Sequence, residues 1–367
     1  MQLSKAKRLV VKVGTSILIG EDGNVRKQWL AALCEDIAAF KKRGTQVIIV
    51  TSGAVAIGRK VLGGAAKLEE KQAAAACGQL GLFEAWNGCL RKYDYSTAQI
   101  LLTIDDSEDR KRYLNARSTL ETLLENNIIP IINENDTVAT AELKFGDNDR
   151  LAARVAQMVS ADYLVLFSDI DGLYTSNPHT HKDAKFIDKV EKITRDIEAM
   201  AGTATSGVGS GGMITKIEAA KIALAAGCHM AITAGKQTHP LAMLEKGGRA
   251  TWFVASSTPR SARKNWIIGS IAPSGMLIID DGAEEALGKG KSLLPAGVKK
   301  IEGRFDRGDT VLVCNLKKKE LGRGLTAYSS DEAALIIGHK SQEIEKILGY
   351  KGRNAIVHRD DLVLGHE

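Results

Sequence analysis

The stretch "QWLAALCEDIAAFKKRGTQVIIVTSGA", residues 28–54, decides the fold. Its first part is amphipathic and helical and closes on Gly44, and a β-branched run, "TQVIIVTSG", follows at once. "TSGA", residues 51–54, ends that run and starts another helix. A glycine-stopped helix feeding an apolar strand is part of a βαβ unit. A strand without polar alternation is one buried on both faces.

The same grammar recurs on both sides. Candidate strands are "RLVVKVG", "STAQILLT", "IIPIINEN", "DYLVLFSD" and "HMAITAG". Between several of them lie the helical stretches "KQAAAACGQLGLFEAWNGCLRKY", "RLAARVAQMVSA" and "KIEAAKIALAAG". The pattern predicts an α/β domain over residues 1–257, with a mostly parallel open sheet sandwiched between helices. Within "TWFVASSTPRSARKNWIIGSIAPSG", Ser, Thr, Pro and Arg cluster, and residues 258–273 read as a linker. Short strands and the turn signals "DDG", "PAG", "DRGD" and "GRG" then predict a small β-rich domain over 274–367.

The bulk numbers narrow the class. Hydrophobic content of 44% and charged content of 26% suit a soluble globular protein. No apolar run reaches bilayer length, and the opening "MQLSKAKRLVVKVG" carries Lys12 where a secretory h-region would be apolar. Five scattered cysteines without a C-x-x-C read as small buried apolar residues in a reducing compartment, so the expected address is the cytoplasm. Residues 270–367 hold 15 basic and 15 acidic side chains, which leaves the whole +6 net charge in the larger part. A modest surplus there suits an anionic small-molecule substrate.

In an open parallel sheet, ligands bind beyond the carboxyl ends of the strands. Five predicted strand ends carry polar residues: Lys12 before "VGTS", then "TSGA", "NEND", "SDIDG" and "TAGK". The loop "NENDTVATAELKFGDNDRLAA", residues 133–153, crowds Asn133, Asn135, Asp136, Asp147, Asn148 and Asp149 around one glycine. A plain turn needs one or two such residues. Lys12 reads as a cation delivered to a phosphate by a rigid strand, with Gly14 letting backbone amides approach. The competing reading is an edge lysine with its amine in water.

"SGVGSGGMITK", residues 206–216, contains a formal G-x-G-x-x-G at Gly207, Gly209 and Gly212. No strand precedes it, and Met213 stands where a Walker lysine belongs, so neither fingerprint applies. What remains is a glycine loop feeding a helix N-terminus with Lys216 in its first turn, a setting for polyphosphate oxygens. Two lysines on separate glycine-rich elements, plus acids from a third, fit phosphoryl transfer. Mg²⁺ can bridge the phosphates while keeping its waters, so no His or Cys cage is required.

Taken in order, "VVKVGTS", "IVTSGA", "NENDTVA", "GDND", "SDIDGLYTSNP" and "GSGGMITK" resemble the amino acid kinase family. The tail, through "FDRGDTV" and "HRDD", resembles a PUA domain. The resemblance implies ATP-dependent phosphorylation of the L-glutamate side-chain carboxylate, the first step of proline synthesis, with inhibition by proline. It also implies Mg²⁺ held mainly through ATP phosphates and water, a homo-oligomer, and glutamyl-phosphate reductase as a partner. Lys12 and Lys216 are then the phosphate-contacting lysines, and Asp149 the acid that holds both.

The same resemblance makes Ser52, Asp136 and Asn148 the glutamate-binding residues. Asp136 would accept from the ammonium, Asn148 would donate to a carboxylate, and Ser52 with neighbouring N–H groups would take the second carboxylate. Nucleotide contacts are implied for Lys12, Gly14, Ser168, Asp169, Ser210, Gly211, Gly212, Met213, Ile214, Thr215 and Lys216. Family members often carry Thr at the position of Ser168 and a small polar residue at that of Ile214; here the hydroxyl survives and the loop backbone serves. Two alternatives stay open. One is a sister kinase for acetylglutamate, aspartate or carbamate, against which "NEND" favours a free ammonium. The other is an RNA-binding protein working through its tail, against which the tail's neutral charge argues.

Overall fold

A computed structural model describes residues 1–138, 148–178, 180–201, 212–268 and 273–365. The chain divides into two compact units, Met1–Pro259 and Arg260–Glu367.

All six predicted strands form in the first unit: β1 (Arg8–Val13), β2 (Gln46–Thr51), β3 (Thr97–Leu102), β4 (Ile129–Glu134), β5 (Tyr163–Ser168) and, after the short β6 (Lys189–Val190), β7 (His229–Ala234). An eighth strand, β8 (Ala250–Phe253), completes a sheet of order β3-β4-β2-β1-β5-β7-β8-β6. The pairs among β1 to β5 and β7 are all parallel, whereas β8 runs antiparallel to β7. β8 lies inside the stretch read as a domain boundary. Its Thr251 is fully buried because its hydroxyl accepts from the Leu173 N–H at 2.7 Å and donates to the Ile187 carbonyl. A satisfied polar residue can occupy a core strand, and composition alone does not reveal that it is satisfied.

The helices that matter for the site are α1 (Lys27–Lys42), α2 (Ala54–Leu62), α3 (Leu68–Leu90), α4 (Asn148–Met158) and α5 (Met213–Ala225). Alternation along the strands divides the core into two layers. Leu9, Val11 and Val13 of β1 face one, with Leu33, Ile37 and Phe40 of α1. Val10 faces the other, with Leu151, Ala152, Val155 and Ala156 of α4 and Ala219, Ala220 and Ala223 of α5. Lys12 shares the parity of Val10, so its side chain is delivered to the α4 and α5 layer. The alanines let these two helices lie close together and bring their N-termini to the same rim.

α2 and α3 pack more closely still. A Cβ placed on Gly78 would stand 1.9 Å from the Ala54 carbonyl oxygen, and one on Gly58 would stand 1.7 Å from that of Ala74. Only glycine permits this backbone-to-backbone approach.

The second unit carries a five-stranded sheet from β9 (Gly275–Ile279), β10 (Val298–Gly303), β11 (Thr310–Cys314), β12 (Glu320–Thr326) and β13 (Val357–Leu364), in the order β10-β9-β11-β12-β13. Its own core includes Leu277, Val298, Val311, Val313, Tyr328 and Ile356. Residues 258–273, expected as a linker, contain a helix instead, Pro259–Ile268. Arg263 of this helix pairs with Asp361 on β13, and Ile267 packs with Leu325 and Val363, so the helix belongs to the second unit. Proline at the first helical position is preorganised for that geometry. Four of the five free cysteines are buried; Cys77 is exposed on α3, against the expectation that all five are buried. Among the described residues, no helix is long and apolar enough to cross a membrane.

Candidate active site

The carboxyl ends of β1, β2, β4 and β5 and the N-termini of α2, α4 and α5 carry the candidate residues. At the centre is Asp149, in the first turn of α4 and only 2% exposed. Lys12 of β1 lies 2.6 Å from its Oδ1, and Lys216 of α5 lies 3.0 Å from its Oδ2. Both lysines are buried. Thr215 adds a hydroxyl 3.1 Å from the same Oδ2, with the Gly212 carbonyl 2.9 Å away as its other acceptor. Burial pushes the Asp149 carboxyl up, but the two ammonium groups outweigh it and hold the acid well below the usual carboxylate range. Among the described residues, two cations meet on this one anion at the rim. The edge-lysine reading of Lys12 is set aside, because β1 is a central strand and the amine is paired.

Gly14 follows β1 and is the N-cap of the short helix Thr15–Leu18. A side chain there would have its Cβ 3.6 Å from the Lys12 amine. Ser168, at the end of β5, is buried and donates to Asp169 at 3.0 Å, while Asp169 is exposed. Past Asp169 the chain is braced by Asp171, which accepts from the Tyr174 hydroxyl at 3.0 Å and pairs with Arg249 at 3.2 Å. Gly212 caps α5, with Met213, Ile214 and Thr215 half-buried in its first turn. Ser210 and Gly211 lie outside the described residues, as does Asp147.

Beside this cationic pair lies a second group, made of amides and hydroxyls. Asn148 opens α4 and is 2% exposed. Its Nδ2 donates toward the Thr51 carbonyl at 2.7 Å, Ser52 Oγ at 2.8 Å and Asn133 Oδ1 at 2.9 Å. The expected donation from Asn148 to a substrate carboxylate is therefore not available, since two protons already face three acceptors. Its Oδ1, in contrast, is buried with no partner among the described residues. The backbone N–H of Ser52 is also committed, to the Val13 carbonyl at 3.1 Å. The N–H groups that remain open there are those of the first turn of α2, which an α-helix cannot satisfy internally. Gly53 shapes this turn, with φ +120° and Ile19 Cγ1 only 2.9 Å from where a Cβ would sit.

Asp136, past the end of β4, is 8% exposed, and burial raises its carboxyl to about 6. A buried acid that no cation among the described residues compensates and an orphan amide oxygen both call for a positively charged donor. An α-ammonium group is one. The anion-seeking lysines and these ammonium-seeking acceptors are carried by consecutive residues of α4, Asp149 and Asn148.

Two contributors were missed in the sequence, Asn133 as an acceptor and Gln79 behind it. Asn133 stood in the quoted loop without a role. Gln79 sits in an alanine-rich helix, where the only signal is a carboxamide next to the packing glycine Gly78.

The model of the amino acid kinase family matches residues 7–234, and that of the PUA domain matches residues 275–348. The chain is 60% identical over 365 residues to glutamate 5-kinase from Paramagnetospirillum magneticum, covering 99% of each chain. It is 56% identical to glutamate 5-kinase from Agrobacterium fabrum, covering 99% of this chain and 94% of that one. Among solved structures, carbamate kinase from Giardia lamblia superposes with a TM-score of 0.50 at 16% identity, over 69% of this chain and 100% of that one. That likeness is one of fold.

Proposed function

The chain belongs to the amino acid kinase family, and from that premise we propose that it transfers the γ-phosphoryl group of ATP to the side-chain carboxylate of L-glutamate, giving L-glutamyl 5-phosphate. The observation that carries the reading is Asp149 bridging Lys12 and Lys216 next to Asn148, with acceptors suited to an ammonium on one side and two cations on the other. Relatives matched over nearly their full length and named glutamate 5-kinase support the choice of amino acid.

In this reading Lys12 and Lys216 neutralise the phosphates and follow the transferred group, while Asp149 fixes both amines in direction. Stabilising charge that develops in the transition state from preoriented groups is the main task in phosphoryl transfer. Mg²⁺, entering with ATP as part of the nucleotide substrate, would add charge neutralisation at the phosphates that Lys12 and Lys216 hold. Asp136 and Asn148 Oδ1 accept from the α-ammonium. The Ser52 hydroxyl and the first N–H groups of α2 face a carboxylate. The nucleophile needs no base: a glutamate carboxylate, with a pKa of ~4.3 in model peptides, is already ionised at neutral pH. The remaining barrier is bringing two anions together, and the buried cations lower it.

The same reading places the chain in the cytoplasm as a homo-oligomer at the first step of proline synthesis, under inhibition by proline. A glutamyl-phosphate reductase would consume the labile acyl phosphate. These extensions rest on family resemblance. The test is trapping: with ATP, Mg²⁺ and hydroxylamine, the purified protein should form a hydroxamate from glutamate and not from N-acetylglutamate, aspartate or carbamate. A hydroxamate from acetylglutamate in preference to glutamate would overturn the assignment.

A further inference from the structure

The amide orientations in the substrate pocket form a one-way relay that ends on α3. The Thr51 carbonyl can only accept, so the atom of Asn148 facing it at 2.7 Å must be Nδ2. That Nδ2 also faces Asn133 at 2.9 Å, which must therefore present its Oδ1. The Nδ2 of Asn133 is thus turned the other way, where it donates to Gln79 Oε1 at 2.8 Å. Gln79 is the last member, and it reaches in from α3 with its oxygen forward.

A second side chain of the same helix serves the same wall. Trp86, seven residues on and so on the same helical face, is fully buried and donates from Nε1 to Thr51 Oγ1 at 3.0 Å. Gly78, beside Gln79, fixes the distance of α3 from the start of α2. The helix is thereby locked in place, and the relay has a rigid end. At its other end, the buried Asn148 Oδ1 is left without a partner among the described residues.

We propose that Gln79 is a positioning residue for amino-acid binding: it holds Asn133 with Oδ1 toward the Asn148 Nδ2, and so supports the orientation that the Thr51 carbonyl sets and that leaves the Asn148 Oδ1 for the α-ammonium of the substrate. The inference rests on the glutamate reading and adds to it a residue that touches no substrate. Without an acceptor at position 79, the Nδ2 of Asn133 loses its partner, and the side chain is held only by the bond it accepts from Asn148. Asn133 would then be a less firmly placed acceptor, and the orphan oxygen of Asn148 would be held less rigidly toward the ammonium.

The test compares Gln79→Met, which keeps length and helix propensity but removes the acceptor, with Gln79→Glu, which keeps an oxygen at the same reach. In the hydroxamate assay, Gln79→Met should raise the KM for glutamate about tenfold, the usual scale for one lost hydrogen bond in a closed site. Its kcat and its KM for ATP should stay within about twofold of the parent chain. Gln79→Glu should bring the glutamate KM back to within about threefold. An unchanged glutamate KM in Gln79→Met would overturn the proposal. So would a loss shared equally by kcat and both KM values, or a Gln79→Glu variant as impaired as Gln79→Met. A parent chain that makes no hydroxamate from glutamate would instead overturn the functional reading, and this proposal with it.

Discussion

Replacing Asp149 by Asn removes the charge between two buried amines and leaves the shape. In the parent, a carboxylate that is 2% exposed lies 2.6 Å from Lys12 and 3.0 Å from Lys216. Removing one partner of a buried pair costs roughly 3–5 kcal/mol, because the other charge stays desolvated and uncompensated. For a domain of this size, about 2–4 °C of melting temperature is lost per kcal/mol, so Asp149→Asn should melt about 6–20 °C lower. Because the folded-state acid is held below its unfolded value, its stabilisation is present above the unfolded carboxylate pKa and lost only as pH falls through the folded one. The gap between parent and variant should therefore hold from pH 5 to 8 and close in stronger acid.

The same substitution has a kinetic signature that separates orientation from attraction. With the carboxylate gone, the pocket is more positive, and inorganic triphosphate should bind the variant at least as tightly as the parent. Its stabilising effect on the melting temperature should be at least as large. Turnover should nevertheless fall by about 10²–10³, since amines without a fixed direction no longer track the transferred group. Thermal melts with and without triphosphate, alongside kcat, measure all three. A melting temperature within 2 °C of the parent's, weaker triphosphate binding, or turnover within tenfold would each show that Asp149 does not organise the pair.

Three other outcomes follow from the same geometry. Asp136, raised to about 6 by burial, must be ionised to receive an ammonium, so kcat/KM for glutamate should fall about tenfold per pH unit below pH ~6 while kcat holds. A flat profile down to pH 5 would remove Asp136 from the ammonium site. Lys216→Ala should lower kcat by orders of magnitude and leave the glutamate KM nearly unchanged; the reverse would make it a substrate-binding residue. Gly78→Ala puts a Cβ 1.9 Å from the Ala54 carbonyl and must push α2 from α3, so the melting temperature should drop and the glutamate KM should rise. A variant that melts like the parent would mean the helices are free to separate.

How much of this was legible in the sequence follows from what each feature depends on. The strands of the parallel sheet are continuous apolar runs, and a single window shows them. Lys12 stood out because a cation interrupts one such run, and α4 and α5 because glycines and acids crowd before an alanine-rich pattern. The late strand β8 and the helix Pro259–Ile268 were hidden. Their polar residues, Thr251 and Arg263, are satisfied by partners distant in the chain, Ile187 and Asp361.

The role of Asn148 was hidden for a deeper reason. Sequence supplies a carboxamide, which can donate or accept with equal ease, and it suggested donation to a carboxylate. The fold surrounds its nitrogen with acceptors from β2 and β4, so that only the oxygen is left for a ligand. Polarity in an amide pocket is thus decided by the one group that cannot reverse, here the Thr51 carbonyl. Each further carboxamide inherits its orientation from the one before, as far as Gln79. A substitution anywhere along that line should therefore be felt at the ammonium end before the phosphate end. Asp149 and the lysines are built on charge, and charge does not depend on which way an amide is turned.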